Sequence, residues 1–275
     1  MLSTFIIALR EGLEASLIVG ILVAYIVKTN RKGYLKPLWT GVLAAIVASI
    51  GLGAFLTFTS VSLSDRGQEL FAGVTSFIAV ALVTWMVFWM KRTARNLRNE
   101  LQGKVDAAAS AGPLALAGAA FFAVIREGLE TSLFVYTNFQ SVHDTASSAA
   151  GLILGFAVSI TLGYLIYKSP IKLNLSKFFT YSGVALIIVA AGVLSYGIHE
   201  FQELGYLPGP DAFAWDVTSF IAKDSILGAS LSGTVGFDTT TSWLQLGAYV
   251  MYLGAVLVPY LSKKSAPAPK VPVTV

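Results

Sequence analysis

Seven stretches of this chain are each apolar over about 20 consecutive residues, the length an α-helix needs to cross a hydrocarbon layer roughly 30 Å thick. Nothing else in the sequence limits the fold as tightly. A backbone in lipid has to satisfy its own amides and carbonyls, and a helix does so within one segment. The stretches run from Ser3 to Val27, Leu38 to Ser60, Leu70 to Met90, Pro113 to Thr137, Ala149 to Tyr167, Phe178 to Ile198, and Trp243 to Leu261. Composition agrees: 12% of the 275 residues are charged, about half the share of a soluble domain, and mean hydropathy is +0.72. The expected fold is an all-α integral membrane protein with seven transmembrane helices. The first stretch lacks a basic leader and a small-residue cleavage pattern, so it is expected to be a mature spanning helix.

Cysteine is absent, which excludes disulfides, zinc-thiolate sites and iron-sulfur clusters. The two histidines, His143 and His199, fall outside the apolar stretches, which excludes a bis-histidine haem in the membrane. A net charge of +4 invites a nucleic-acid reading, and the placement of the charges removes it. The first, third and fifth connections and the C-terminal tail hold 15 of the 19 Lys and Arg residues; the other connections hold Arg66 and Lys223. Basic loops stay in the cytoplasm, so the expected topology is N-terminus out and C-terminus in. The outer connections carry nine of the 15 acids: Asp65, Glu69, Asp144, Glu200, Glu203, Asp211, Asp216, Asp224 and Asp238. Such a vestibule concentrates cations near its mouth. The bland alternative is that topology has merely depleted these loops of Lys and Arg.

A repeat organises the chain. In the first stretch Arg10, Glu11, Gly12, Leu13 and Glu14 read REGLE, and Arg126, Glu127, Gly128, Leu129 and Glu130 repeat it in the fourth. The match continues through Ser16 and Ser132. The second and fifth stretches also align, Gly41 with Gly151 onward. The repeating unit is three spans long, and because three is odd the two units enter the membrane from opposite sides. The expectation is a 3+3 inverted-topology repeat plus a seventh helix, an architecture that places transport sites near the midplane. Residues 1–261 are then expected to form one seven-span domain, with repeat 1 over about 1–91, repeat 2 over about 113–198, an outer loop at 199–242 and the seventh helix at 243–261. Residues 262–275, rich in Pro and Lys, read as a disordered cytoplasmic tail.

Helical spacing puts Glu11 and Glu14 on one face, and Glu127 and Glu130 likewise. Gly12 and Gly128 let another backbone approach inside each motif. Six charges near a bilayer centre cost roughly 15–20 kcal/mol before pairing, so packing alone has no use for them. Intrahelical pairs, Arg10 with Glu14 and Arg126 with Glu130, are the structural alternative, and they leave Glu11 and Glu127 without partners. Four converging carboxylates call for a hard cation or protons.

These residues resemble the oxidase-dependent iron transporter family, the high-affinity iron permeases of fungi and their bacterial EfeU-type relatives. The segments "ELFAG", "LVTWMVFWMKR" and "GIHEFQELG" look like the bacterial branch. The resemblance implies that Glu11, Glu14, Glu127 and Glu130 carry iron, as Fe³⁺ or Fe²⁺, through the plasma (inner) membrane of the cell. It makes Arg10, Arg126, Gly12 and Gly128 motif companions. It also implies an external iron-oxidising partner, an oxidase or a peroxidase with a lipoprotein. No permanently bound cofactor and no catalysis are expected; iron is the substrate. Where the family pattern ELFEG has a second acid this chain has Ala72, so a relay there rests on Glu69. His199, Glu200 and Glu203, with Glu69, are candidates for an outer-mouth relay; the alternative is a solvated helix end. Trp39, Trp85, Trp89 and Trp243 read as interfacial belt residues. A transporter or antiporter of Mn²⁺, Pb²⁺, or protons with Na⁺ would use the same carboxylates. A di-iron enzyme is disfavoured because no span supplies the histidine of a Glu-x-x-His ligand set.

Overall fold

The computed structural model describes residues 1–93, 97–141, 145–168, 175–220, 228, 231 and 236–262. His143, Asp144, Arg95, Lys172, Lys223, Asp224 and all of the expected tail except Ser262 lie outside the described residues. The helices are α1 (Leu2–Lys28), α2 (Leu35–Ser62), α3 (Asp65–Thr93), α4 (Leu97–Ala111), α5 (Pro113–Ser141), α6 (Thr145–Lys168), α7 (Leu175–Glu203) and α8 (Trp243–Leu261). Each apolar stretch of the sequence falls inside one of them, and the protein is a helical, multi-pass membrane protein. Five helices, α2, α3, α6, α7 and α8, are long and apolar enough to cross a membrane. With 27 and 29 residues, α1 and α5 are long enough. What sets these two apart in composition is the three motif charges each carries at its middle.

Two features add to the sequence expectation. The third connection folds into α4, where Val105 and Ala109, four residues apart, are both buried, Val105 in an apolar cluster shared with α1, α2 and α5. Gly112, at φ +111°, ends α4, and Pro113 opens α5 where a missing amide hydrogen costs nothing. The long loop between α7 and α8 contains a short antiparallel ribbon, β1 (Phe213–Asp216) with β2 (Thr240–Ser242), beside the helices. Ser242 then caps α8: its hydroxyl accepts from the Gln245 amide at 3.2 Å, and the Gln245 side chain accepts from the Ser242 amide at 2.6 Å. That hydroxyl also donates to Gln202 at 2.9 Å, which ties the loop to the end of α7.

The packing is reciprocal. α1 lies on α6 and α2 lies on α5, while α3 packs on α7 and α1 crosses α5. Small residues set these contacts: a Cβ at Gly12 would overlap the Ser159 side chain of α6, and one at Gly128 would overlap Ser49 of α2. Likewise Gly41 abuts the Ala117 backbone and Gly151 abuts the Met1 backbone. Close backbone approach is how helices associate where lipid removes the hydrophobic drive between them. One apolar cluster joins α3, α7 and α8 to α1 and α5, and a second joins α1, α2, α4 and α5. The motif charges lie where α1 and α5 cross.

Candidate cation site

Arg10, Glu11 and Glu14 are buried on α1, and Glu127 and Glu130 are buried on α5. Carboxylate oxygens of Glu11, Glu14 and Glu127 come within 4.8 Å of one another, close enough to share one metal ion. Glu130 stands outside that trio, engaged by Arg126 Nε at 3.1 Å. Helix geometry supplies part of this, since three- and four-residue steps return to one face. The crossing of α1 and α5 supplies the rest.

The pairing differs from the sequence expectation. Arg10 bridges both acids of its motif, Glu11 at 2.8 Å and Glu14 at 2.9 Å, so Glu11 has a partner after all. The guanidinium is broad enough to offer separate nitrogens to each carboxylate. Arg126 grips Glu130 at 3.1 Å and reaches Glu127 only at 3.9 Å. Even so, five buried oxygens make no hydrogen bond: Oε2 of Glu11, Glu127 and Glu130, and both oxygens of Glu14, whose tie to Arg10 is one of charge. Buried polar atoms are nearly always satisfied, and anionic oxygens left over at one point have the chemistry of a hard-cation ligand set.

A cavity of about 760 Å³ reaches this cluster. Among the described residues, Glu11 and Glu127 are the only acids lining it; Gly12, Ser49, Gly128 and Ser132 surround them. It extends past Thr57 and Val61 of α2, Phe139 and Gln140 of α5, and Thr145 of α6. All five lie near the ends of their helices that point to one side of the bundle, the side where α2 turns into α3. Sequence reasoning missed this hydroxyl lining. Ser132, one helical turn after Gly128, donates to the carbonyls of Ser49 and Gly128 at 2.7 and 2.8 Å. Its match with Ser16 in the repeat was the signal available for it.

Trp85 and Trp89, expected as belt residues, take a further role. The Arg126 guanidinium carbon lies 3.8 Å from the Trp89 ring centre and 5.6 Å from that of Trp85. At the end of α7, His199 Nε2 pairs with Glu203 at 3.1 Å. Glu200 is buried to 8% exposure and hydrogen-bonded to Tyr196, and the charges of Glu203 and half-buried Glu69 act on it. The structure thus brings Glu69, Glu200 and Glu203 into one neighbourhood, and none of the group is among the described residues lining the cavity.

Likeness to known proteins extends over nearly the whole chain. Residues 1–262 match the iron permease FTR1 family. The chain is 36% identical to the ferrous iron permease EfeU of Escherichia coli O6:H1 over 265 residues, 95% of each chain. It is 36% identical to that of Escherichia coli O157:H7 over 264 residues, covering 94% of this chain and 95% of the relative. To the Yersinia pestis protein of the same name it is 35% identical over 262 residues, 94% of this chain and 92% of the relative. No solved structure matches. A match of that extent, together with a multi-pass helical build, makes this protein a membrane permease concerned with iron transport, and it belongs to the iron permease FTR1 family.

Proposed function

We propose that this chain carries iron across the plasma (inner) membrane into the cytoplasm through the carboxylates of Glu11, Glu14, Glu127 and Glu130. The observation that carries the reading is the set of five buried carboxylate oxygens without a hydrogen bond, beside a cavity that reaches Glu11 and Glu127. Burying charge is tolerated only where it is paired or binds a metal. Four carboxylates with both guanidiniums give the cluster a charge of −2, which a divalent ion neutralises. The relatives are named ferrous iron permeases, and that count favours Fe²⁺ at the site. A ferric ion would need the arginines to turn away, and the oxidase partner implied by the sequence resemblance would produce that species from Fe²⁺ outside the membrane.

In this reading α1, α2, α3, α5, α6, α7 and α8 span the membrane with the N-terminus outside, and α1–α3 and α5–α7 are inverted repeats. The exchange of partners between α1 on α6 and α2 on α5 supports the relation, as do the matched contacts of Gly12 with Ser159 and Gly128 with Ser49. The cavity then opens outward. Glu69, His199, Glu200 and Glu203 form an acidic collecting group on the same side. An oxidase or peroxidase and a lipoprotein are its proposed partners there.

Uptake of radioactive iron by proteoliposomes, with Mn²⁺, Zn²⁺ and Na⁺ as competitors, tests the substrate. Iron is expected to accumulate and to be displaced by other divalent ions only at large excess. Accumulation of Mn²⁺ with exclusion of iron would overturn the reading.

A further inference from the structure

The two REGLE copies have the same residues at the same spacing, so helix geometry alone would pair their arginines alike. It does not. Arg10 holds both of its acids at 2.8 and 2.9 Å, whereas Arg126 holds Glu130 at 3.1 Å and stands off Glu127 at 3.9 Å. The cause must lie in what surrounds each guanidinium. Arg10 is 1% exposed, and among the described residues no aromatic ring lies over it. Arg126 is 28% exposed, and its guanidinium lies against the Trp89 indole at 3.8 Å. A planar, weakly hydrated guanidinium is the cation best suited to that contact.

The position of the ring fixes the direction of the pull. Trp89 is near the far end of α3, whose first residue follows α2 at the side toward which the cavity extends. At 1.5 Å per residue, Trp89 lies about 36 Å along the helix from Asp65. The cavity touches Glu127 and not Arg126, which stays behind the carboxylates as seen from the cavity. Trp85, one turn earlier, offers a second ring whose centre is 6.5 Å from that of Trp89.

We propose that Trp89 is a positioning residue for cation binding: its indole holds the Arg126 guanidinium on Glu130 and off Glu127, leaving Glu127 as the open carboxylate of the cluster. The inference rests on the reading of that cluster as the transport site. Without the ring, Arg126 closes on Glu127 as Arg10 closes on Glu11, and an incoming cation has to displace it.

The test is ferrous iron binding to the purified, detergent-solubilised protein under anaerobic conditions. Trp89→Leu is expected to weaken the affinity about 3- to 30-fold, the span from an exposed to a desolvated cation–π contact. Trp89→Phe keeps a ring face and is expected to recover most of that loss. In an Arg126→Gln background, Trp89→Leu is expected to change nothing further, because the residue it positions is gone. An unchanged affinity in Trp89→Leu, or the same loss in both backgrounds, overturns the proposal. Should Trp89→Leu fail to fold, Arg126→Lys replaces it: a compact ammonium lacks the planar face, the same weakening is expected, and wild-type affinity overturns the idea. Glu127→Gln separates the two claims. If that variant binds iron as the wild type does, the cluster is not the site; if it loses binding while Trp89→Leu keeps it, only the role of Trp89 falls.

Discussion

Arg10 is a buried cation with two buried anions within 3 Å of it. Removing such a partner leaves an uncompensated charge in a medium that cannot solvate it, which costs about 3–5 kcal/mol. Arg10→Gln is therefore expected to lower the melting temperature of the iron-free protein sharply, and Arg10→Gln with Glu11→Gln to regain part of the loss. Thermal unfolding in detergent reads both; an Arg10→Gln protein as stable as the wild type contradicts the pairing. The four glutamates and two arginines were legible in the sequence because charges in an apolar helix are costly and these recur with one spacing. The double grip of Arg10 was not, because a rotamer decides whether a guanidinium meets one acid or two. The place of Trp89 was hidden for another reason: no local pattern links a residue on α3 to a guanidinium on α5.

Helices here are set by glycine as much as by apolar surface. Gly41 meets the Ala117 backbone and Gly151 meets the Met1 backbone, and neither carbonyl can turn aside as a side chain would. Gly41→Val and Gly151→Val are each expected to cost about 1–3 kcal/mol by overpacking. Gly51, on the same helix as Gly41, has nothing within 4 Å, so Gly51→Ala is expected to be neutral or to stabilise by up to about 1 kcal/mol through helix propensity. Melting temperatures of the three variants check the contrast, and equal losses at Gly41 and Gly51 contradict it. The long helices that hold the seven apolar stretches, all among the described residues, were readable from apolar length alone. α4 escaped because its polar composition hides a narrow stripe, Leu97, Leu101, Val105 and Ala109 recurring every four residues among mostly polar ones.

The molecule as a whole presents a cavity that extends toward one side of a helical bundle and ends on a carboxylate cluster. The proposed topology puts that side outside the cell. Cysteine is absent from the chain, so one introduced thiol reports its own location. Ser64→Cys, in the exposed turn before α3, is expected to react with an impermeant reagent in intact cells, and Gly33→Cys, in the exposed turn after α1, only in inverted vesicles. The reverse pattern contradicts the orientation. Charge asymmetry made the topology expectation possible; the cavity was beyond reach because it arises from how α1, α2, α5 and α6 lean together. The central claim is that the carboxylates at the α1–α5 crossing carry the ion, and it meets its most direct test in iron uptake by proteoliposomes bearing Glu11→Gln together with Glu127→Gln. Uptake is predicted to fall to the level of empty vesicles while the protein inserts normally; transport at the wild-type rate would contradict the claim.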